Sequence, residues 1–218
     1  RHRPLLLLLA ALLAGGPASG QDDAPALAEL SLEELMNLEI VVTSASRHAE
    51  PLARTAASVY VLTAEQIERS GATSIPELLR LVPGVEVARI DSNRWAITIR
   101  GFNEQFANKL LVLVDGRSVY TPLFSGTFWD TLDLPLADIE RIEVVRGPGA
   151  PLWGANAVNG VIHIITRHTG AEPARQLSVT TGDQDRALLD LRLGDAHEHG
   201  GWRAWARFVE RDATRALD

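Results

Sequence analysis

Residues 139–166 read IERIEVVRGPGAPLWGANAVNGVIHIIT. This stretch is the most informative part of the sequence, because it starts and ends with apolar β-branched runs that predict strands at Ile142–Arg146 and Val161–Thr166. Glycines at positions 147, 149, 154 and 160 allow positive φ and close backbone approach between the strands. A phosphate-binding loop at Arg146–Gly154 is the alternative, but no Gly-Lys-Ser/Thr follows and no apolar helix pattern begins there. We therefore expect a strand, a compact glycine-rich connection and a second strand.

The residues before this stretch predict a compact α+β unit. Apolar runs predict strands at Ser58–Leu62, Val85–Arg89, Ala96–Arg100, Lys109–Val114 and Arg117–Tyr120. Helices are expected after Thr63 and Ser74, because Gln66 and Glu77 follow three positions later, as in a capping box. A further helical turn is expected at Leu136–Ile139. The dipeptide Asp115-Gly116 predicts a tight hairpin turn.

The residues after this stretch predict strands of a different kind. Gln176–Thr180, Ala187–Leu193 and Trp202–Arg211 alternate between apolar and polar residues, which is typical of barrel strands that are apolar outside and polar inside. Trp202 and Trp205 suit an interfacial girdle at one end of such a barrel. Three strands leave two edges without backbone partners in lipid, so we expect most of the barrel to lie outside this sequence.

The first residues predict export. Arg1 and Arg3 begin the chain, Leu5–Leu13 form an apolar run, and Ala18–Gly20 are small residues suited to cleavage. A run of nine apolar residues is too short for a bilayer core of about 30 Å, so residues 1–20 are expected to be a signal peptide. A helix is predicted at Ser31–Asn37, and a short β-branched segment then follows: Leu38, Glu39, Ile40, Val41, Val42, Thr43 and Ser44.

Charge and residue usage exclude several functional classes. The formal net charge is −7, and it becomes −9 when a leader containing Arg1 and Arg3 is removed, which argues against a nucleic-acid binder. Cysteine is absent from the sequence, so neither disulfides nor a thiolate site is available. Because we find no Ser-His-Asp or paired-carboxylate arrangement, we predict no catalytic residue, no cofactor and no enzyme.

The remaining titratable residues receive structural interpretations. Glu140 and Glu143 are expected on an exposed strand face, and His163 is expected to be a packed or surface residue. His197 and His199 are two histidines of a predicted turn without further ligands, which favours a solvated turn over a metal site.

The motifs together resemble a known family. Residues 139–166, preceded by Ile99-Arg100-Gly101-Phe102 and by Val112–Arg117, resemble in order and spacing the plug domain of TonB-dependent outer-membrane receptors. The resemblance covers about Leu38 to Arg167 and then the start of the barrel. It implies an α+β plug domain, a small mixed sheet with short helices, followed by the first antiparallel strands of a transmembrane β-barrel. The expected domains are a signal peptide at 1–20, a periplasmic extension at 21–53, the plug at 54–167, and three barrel strands at 168–218.

The resemblance also implies roles for two sets of residues. Leu38–Ser44 resembles the TonB box, which adds itself as an edge strand to the periplasmic partner TonB. Glu39 lies one position later than the usual acid of that box, and an ordinary linker strand is the alternative. Arg100 and Arg146 match arginines that lock the plug to glutamates of the barrel wall, where a guanidinium makes bidentate bonds. The alternative is two solvated cations at strand ends.

A ligand-binding surface is expected at one end of the predicted strands. Three loops, 90–95, 103–108 and 120–130, lie at the end that faces outward in the family. Aromatic rings with a few amides and one arginine suit a large organic or metal-chelate ligand. The residues expected to contact it are Asn93, Arg94, Trp95, Asn103, Gln105, Phe106, Tyr120, Phe124, Phe128 and Trp129. Phe124, Phe128 and Trp129 suit a core position equally well.

The resemblance implies a TonB-dependent transporter in the outer membrane of a Gram-negative bacterium. It is expected to import a large scarce ligand such as a ferric siderophore, with the plug gating the pore. Its expected partners are TonB, its own barrel, the ligand and outer-membrane lipid. A signalling receptor is one alternative, although it needs a further folded domain before the box, where about seventeen residues separate Gly20 from Leu38. A stand-alone periplasmic plug or binding module is the other.

Overall fold

The fold is taken from a computed structural model. It describes residues 40–212 except 102, 124, 170–174, 184 and 198–199, so the expectations for residues 1–39 lie outside the described residues. The strands are β1 (Val41–Val42), β2 (Glu50–Pro51), β3 (Val59–Thr63), β4 (Val85–Arg89), β5 (Trp95–Ile99), β6 (Leu110–Val114), β7 (Arg117–Ser118), β8 (Tyr120–Thr121), β9 (Gly126–Thr127), β10 (Ile139–Arg146), β11 (Gly160–Thr166), β12 (Arg175–Thr180), β13 (Asp185–His197) and β14 (Gly200–Arg211). The helices are α1 (Ala64–Arg69), α2 (Ile75–Leu79) and α3 (Ala150–Trp153), with 3₁₀ turns at Leu52–Arg54 and Leu136–Asp138. Within the described ranges, no helix has the length and apolar character needed to cross a membrane.

A five-stranded mixed sheet forms the centre of the molecule. Its strand order is β3-β10-β11-β6-β7, in which β10 runs antiparallel to both β3 and β11, and β11 runs parallel to β6. The stretch 139–166 therefore supplies two of the three inner strands. Both strands carry long apolar side chains because helices and hairpins cover the sheet, as in Ile142 and Ile164, which are fully buried. The expected small mixed sheet with short helices is confirmed.

The central sheet has an apolar cluster on each face. The larger cluster joins the sheet to α1, α2 and the β4–β5 hairpin, and it includes Leu62, Leu78, Ile97, Val112, Val144 and Ile162. The smaller cluster lies on the other face and consists of Leu111, Leu113, Val145, Ala157 and Val161, with Trp153 packed against it. Both faces of the sheet are therefore covered, and a charged residue pointing from it needs a partner inside the protein.

Local signals place the helices and the tight turn. Thr63 forms the expected capping box, because its side chain accepts from the Gln66 amide and Gln66 reaches back to the Thr63 amide. Ser74 is the N-cap of α2, as expected, but its side chain makes no capping bond, and Glu77 accepts from the amide of Thr73 rather than that of Ser74. Asp115 and Gly116 have φ values of 47° and 77°, the two positive angles of a type I′ turn between β6 and β7.

The strands β12, β13 and β14 form a separate three-stranded antiparallel sheet. β13 and β14 are longer than expected, with 13 and 12 residues. One face of this sheet is apolar and exposed, with Leu177 at 44%, Val179 at 65% and Phe208 at 58% exposure. The opposite face carries polar residues toward the plug, so the predicted barrel-like alternation is confirmed.

Because alternate residues of β14 point to opposite faces, its two tryptophans do not share one environment. Trp202 lies on the face of Phe208, whereas Trp205 pairs with Arg192 on the face of Arg203 and Arg207. Only Trp202 thus stands on the apolar face that a girdle residue requires.

Candidate functional site

Residues 40–47, called here the N-terminal segment, lie against the central sheet. They contain the described part of the expected TonB box, whereas Leu38 and Glu39 lie outside the described residues. Strand β1 pairs with β2 through Val41 and Val42, and the Leu52 amide donates to the Ile40 carbonyl at 2.8 Å. Val42 is fully buried, while Ile40 and Val41 are 43% and 41% exposed. The segment is therefore docked on one side and accessible on the other.

The docked side of the segment meets the carboxylate of Glu143. The backbone amides of Thr43 and Ser44 donate to Glu143 Oε2 at 2.9 and 2.8 Å, and the Ser44 hydroxyl donates to the same oxygen. The other oxygen, Oε1, accepts from Arg141 Nε at 2.8 Å. The Glu143 side chain is 0% exposed, and both of its carboxylate oxygens accept hydrogen bonds, as a buried charge requires.

His163 completes the contact from the next strand. The Gly116 amide donates to His163 Nε2 at 3.0 Å, so in this arrangement the ring proton lies on Nδ1. Nδ1 lies 3.1 Å from the Ser44 hydroxyl and donates to it, while that hydroxyl donates to Glu143. A continuous set of hydrogen bonds therefore joins the N-terminal segment to the β6–β7 turn.

Trp153 holds the segment from the connection between β10 and β11. Its indole Nε1 donates to the Ser44 carbonyl at 2.7 Å, and the Arg47 guanidinium lies 4.5 Å from the centre of its ring. Arg47 has a φ of 62° and its amide donates to the Thr43 carbonyl at 2.9 Å, which closes a turn after the buried serine. We call Glu143, His163 and Trp153 together the socket.

The electrostatics of the socket favour a charged glutamate and a neutral histidine. Burial raises the pKa of Glu143, but the hydrogen bonds from Ser44, Thr43 and Arg141 outweigh burial and leave that pKa lowered. Burial lowers the pKa of His163, and the nearby Glu143 carboxylate only partly opposes this effect. The two residues are therefore suited to hold a neutral hydroxyl and two amides at neutral pH.

The socket corrects an expectation about Glu143. Glu140 is half exposed, as expected, but Glu143 is fully buried rather than on an exposed face. The physical reason is that the N-terminal segment covers this part of β10 and provides the donors that a buried carboxylate needs. A partial signal was present in the sequence: Glu143 lies between the apolar residues Ile142 and Val144, next to a second apolar residue, Val145.

Arg100 and Arg146 lie together at the ends of their strands. Arg100 Nη2 donates to the Arg146 carbonyl at 3.2 Å, and Arg146 Nη1 donates to the Pro83 carbonyl at 3.1 Å. Arg100 has a φ of 64° and its side chain is exposed. No carboxylate of the described residues forms an ion pair with either side chain. Their assignment as the lock remains a prediction.

The described plug and the three-stranded sheet are instead joined by arginines of the sheet. Asp138 is 2% exposed and has Arg192 Nε at 2.8 Å and Arg203 Nε at 3.5 Å. Farther along β14, Arg207 Nη1 lies 2.9 Å from Asp133 and Nη2 donates to the Thr73 carbonyl at 2.6 Å. Sequence reasoning missed these pairs, because Arg192, Arg203 and Arg207 are recognisable as inward-facing only once the strand register is known.

The residues expected to contact a ligand fall into two groups. Asn93, Arg94 and Asn103 are exposed, and Gln105, Phe106, Tyr120 and Phe128 are partly exposed. Trp95 is 4% exposed and belongs to the larger apolar cluster, which corrects the expectation that it contacts a ligand. Trp129 is 6% exposed in the same cluster, so it takes the core position that the sequence left open. Phe124 lies outside the described residues.

The structure explains these placements by packing. Trp95 is covered by the guanidinium groups of Arg80 and Arg89, at 5.4 and 5.0 Å from its ring centre. The rings of Phe106 and Phe128 contact each other with centres 5.4 Å apart. A cavity of about 400 Å³ lies beside Asn93, Trp95 and Trp129 and extends to Asp133 and Arg211.

Metal-ligating side chains do not gather in the described part of the chain, where no three His, Cys, Asp or Glu residues are placed to hold an ion. His197 is an exposed residue with Asp195 at 3.6 Å from its Nε2. Glu198 and His199 lie outside the described residues, so the preference for a solvated turn stays a prediction.

Comparison with known proteins gives one family and several relatives. The family described as TonB-dependent receptor plug domain matches residues 51–161. The vitamin B12 transporter BtuB from Vibrio vulnificus (strain CMCP6) is 32% identical over 174 residues, which are 79% of this chain and 28% of that protein.

Solved structures show the same fold. The ferripyoverdine receptor of the Pseudomonas aeruginosa outer membrane, bound to ferripyoverdine, has a TM-score of 0.62 at 21% identity, over 79% of this chain and 22% of the receptor. A mutant of the ferric enterobactin receptor PfeA of Pseudomonas aeruginosa, in complex with enterobactin, has a TM-score of 0.54 at 29% identity. The match covers 72% of this chain and 25% of that receptor. This chain spans about a quarter of the length of the relatives it matches.

Proposed function

The chain belongs to the TonB-dependent receptor plug domain family, and from this membership we propose that it gates a transporter in the outer membrane of a Gram-negative bacterium. The family consists of transport receptors rather than enzymes. The observation that carries the proposal is the plug fold, in which an N-terminal segment with an accessible strand edge is docked on the central sheet.

We infer that the imported ligand is a large metal chelate. The relatives named above are receptors for ferripyoverdine and ferric enterobactin and a transporter for vitamin B12, all bulky molecules that carry a metal. A ferric siderophore is the first candidate. The exposed Asn93, Arg94 and Asn103, with the partly exposed Phe106 and Tyr120, provide the polar and aromatic groups to contact it.

The domain assignment follows from the same proposal. Residues 54–167 form the plug, and residues 168–218 belong to the wall of the barrel. The exposed apolar face of β12–β14 supports this, because Val179 and Phe208 suit contact with lipid better than contact with water. It also disfavours a stand-alone periplasmic module.

Energy coupling is proposed to act through residues 38–44. An extended segment binds a partner by strand addition, which uses backbone hydrogen bonds and needs little from the side chains. Ile40 and Val41 offer the exposed part of such a strand. Tension on the segment would be transmitted to β10 and β11, because its docked side is bonded to those strands.

The test is a proline at Val41 in the complete gene product. Val41→Pro removes a backbone donor from the segment, so we expect uptake of radioactive iron to fall at least about tenfold while cell-surface binding is retained. Ferripyoverdine and ferric enterobactin serve as probes, with labelled cyanocobalamin as a third. Val41→Ala is the matched control, because it keeps the backbone amide and should transport normally.

Two outcomes would contradict the proposal in different ways. Normal uptake by Val41→Pro would remove the coupling role of residues 38–44. Failure of the unmodified protein to bind or import any of the three probes would overturn the proposed ligand class.

A further inference from the structure

We propose that a passage for water and small polar solutes runs along the boundary between the plug and the sheet β12–β14, and that the Arg207 guanidinium closes it at one point. The passage consists of three cavities in a row. It rests on the barrel wall proposed above, but it involves neither the metal chelate nor the segment 38–44, so it can be tested separately from them.

The first cavity, called the loop-side cavity, is the one described above beside Asn93 and Trp95, with a volume of about 400 Å³. It lies between the plug and β14. Its wall includes Ser74 and Asp133 of the plug and Val209 of β14. Polar and charged side chains thus form part of the wall, as expected of a space that holds water.

The second cavity, called the middle cavity, has a volume of about 140 Å³ and is lined by both the plug and β12. Gln176, Ser178 and Thr180 line it from the strand. They are alternate residues of β12, so they share the face that is turned to the plug. One water molecule needs about 10–15 Å³ of such space, so the middle cavity has room for several.

The third cavity, called the α1 cavity, has a volume of about 310 Å³ and is lined by residues of α1 such as Ile67 and Glu68. It adjoins the middle cavity, because four residues line both: Ala72, Leu136, Ala137 and Gln176. These two cavities therefore form one stretch of space along the boundary.

The loop-side cavity and the middle cavity meet at the level of Arg207. On the plug, Thr73 lines the middle cavity and its neighbour Ser74 lines the loop-side cavity. On β14, Arg207 lines the middle cavity and Val209 lines the loop-side cavity. Two consecutive plug residues and two alternate strand residues thus mark the division between the two spaces.

The Arg207 side chain spans this division and is 4% exposed. Its Nη2 donates to the Thr73 carbonyl at 2.6 Å. Its Nη1 donates to the Leu134 carbonyl at 3.1 Å and lies 2.9 Å from the Asp133 carboxylate. Asp190 of the neighbouring strand lies 3.3 Å from Nε. A planar guanidinium held in this way from the plug and from the sheet closes the gap that would otherwise join the cavities.

Size and charge decide which solutes the passage admits. A drug-sized ligand needs a cavity of about 300–1,000 Å³, so the middle cavity is too small for a metal chelate. The charges around it are paired, Arg207 with Asp190 and Arg192 with Asp138, so an ion would give up its water for little return. Water and small neutral polar molecules are the solutes that fit.

The experiment measures the swelling of liposomes that contain the complete gene product, with neither chelate nor TonB added. Erythritol, a small neutral polyol, is the test solute, and the trisaccharide raffinose is the size control. Arg207→Ala removes the closing group, so erythritol swelling should become at least about tenfold faster, as expected when hydrogen bonds to a charged group are lost. Raffinose should remain excluded.

Arg203→Ala is the matched control for loosening of the plug. Arg203 also reaches the plug from β14, with Nε 3.5 Å from Asp138, but it is not among the described residues that line the three cavities. Arg192 still pairs with Asp138 when Arg203 is removed. Erythritol swelling should therefore stay at the rate of the unmodified protein.

A second substitution tests the route itself. In the Arg207→Ala background, Ser178→Trp places an indole ring in the middle cavity and should return erythritol swelling to the unmodified rate. Val179→Trp is its control, because the next residue of the strand points to the opposite face and is 65% exposed there. It should leave the passage open.

Each outcome decides the proposal. Raffinose entry through Arg207→Ala, equal erythritol rates in Arg207→Ala and Arg203→Ala, or equal effects of Ser178→Trp and Val179→Trp would each overturn the passage. If Arg207→Ala does not assemble, Arg207→Lys replaces it, because a single ammonium lacks the planar fork that reaches both carbonyls and should also admit erythritol.

The passage and the proposed function fail in different ways. If swelling changes as expected but the unmodified protein imports none of the three chelate probes, the passage stands and the proposed ligand class is wrong. If import is normal but Arg207→Ala and Arg207→Lys swell like the unmodified protein, the function stands and the passage is wrong.

Discussion

Glu143 is the residue on which docking of the N-terminal segment depends most. It holds a charge at 0% exposure, and its partners are two amides, one hydroxyl and one guanidinium. A buried carboxylate is tolerated only while such donors remain, because an unpaired charge in the interior is costly. The segment and the glutamate therefore stabilise each other, and loss of either weakens both.

Acidification should release the segment. Since burial lowers the pKa of His163 below its ordinary value of about 6.5, its contribution to docking is complete above that value and declines as pH falls below it. The protonated ring cannot accept the Gly116 amide. Glu143 and Asp115 oppose this pKa shift and Arg141 adds to it. Because the pKa of Glu143 is lowered, the contribution of Glu143 to docking is lost only at still lower pH, below about 4.3, the ordinary pKa of a glutamate.

This prediction is measured as the rate at which a membrane-impermeant maleimide labels the variant Val42→Cys in the complete gene product, since position 42 is fully buried while the segment is docked. The rates are compared at about pH 7.5 and about pH 5.5, because histidine is the side chain that ordinarily changes charge in this range. We expect faster labelling at the lower pH. His163→Gln removes the titrating ring and should flatten the difference. A pH response of the same size in His163→Gln would assign the effect to another group.

At the scale of the elements, the contact between β10 and β11 depends on Gly160. A β-carbon at this position would lie 2.5 Å from the Val145 carbonyl oxygen and 2.7 Å from Ile99 Cδ1. The first contact is with backbone, which cannot move aside without breaking the ladder between the two strands. Glycine is needed here for close approach rather than for a special φ value.

Gly160→Ala should therefore destabilise the plug by about 1–3 kcal/mol, the usual cost of overpacking a filled interior. The measurement is the urea midpoint of plug unfolding in the purified complete gene product. Gly182→Ala is the control, because its added β-carbon would make only an ordinary contact of 3.6 Å with the Asp185 carbonyl oxygen. Equal midpoints for the two variants would show that β10 and β11 can separate without loss.

At the scale of the whole described molecule, ion pairs of one polarity join the plug and the three-stranded sheet, and those of Asp138 are buried whereas Asp133 is 47% exposed. The cations belong to β13 and β14, and Asp138 and Asp133 belong to the plug. This side of the plug is therefore held by the sheet itself. The N-terminal segment is attached to β10 and β11 instead, through the socket.

Asp138→Asn should loosen this attachment. It leaves Arg192, 4% exposed, without its carboxylate partner, and breaking a buried pair by removing one member costs about 3–5 kcal/mol. We expect a lower urea midpoint and greater passive entry of a large antibiotic into cells that carry the variant. Asp212→Asn is the control, because its pair with Arg186 is exposed and contributes about 0–1 kcal/mol. Unchanged permeability and midpoint would show that Asp138 does not hold the plug.

Most elements were predictable because their signals are local. The capping box at Thr63, the Asp115-Gly116 turn and the alternation in Ala187–Leu193 each lie within a few neighbouring residues. One exception is α3, which has only four residues and was not predicted. Another is the bond at the start of α2, where Ser74 is the N-cap, as expected, but Glu77 binds the amide of Thr73.

The strand order along the chain, the mixed α+β plug and the family could all be predicted from the residues alone. Which charges are buried, and what they bind, became known only from the folded arrangement. Glu143 and Ser44 are separated by 99 positions, and Arg192 reaches the 3₁₀-turn residue Asp138 from a strand of the three-stranded sheet. The physical reason is that a side chain is satisfied by whichever partner the fold brings to it, and that partner is not written in the neighbouring residues.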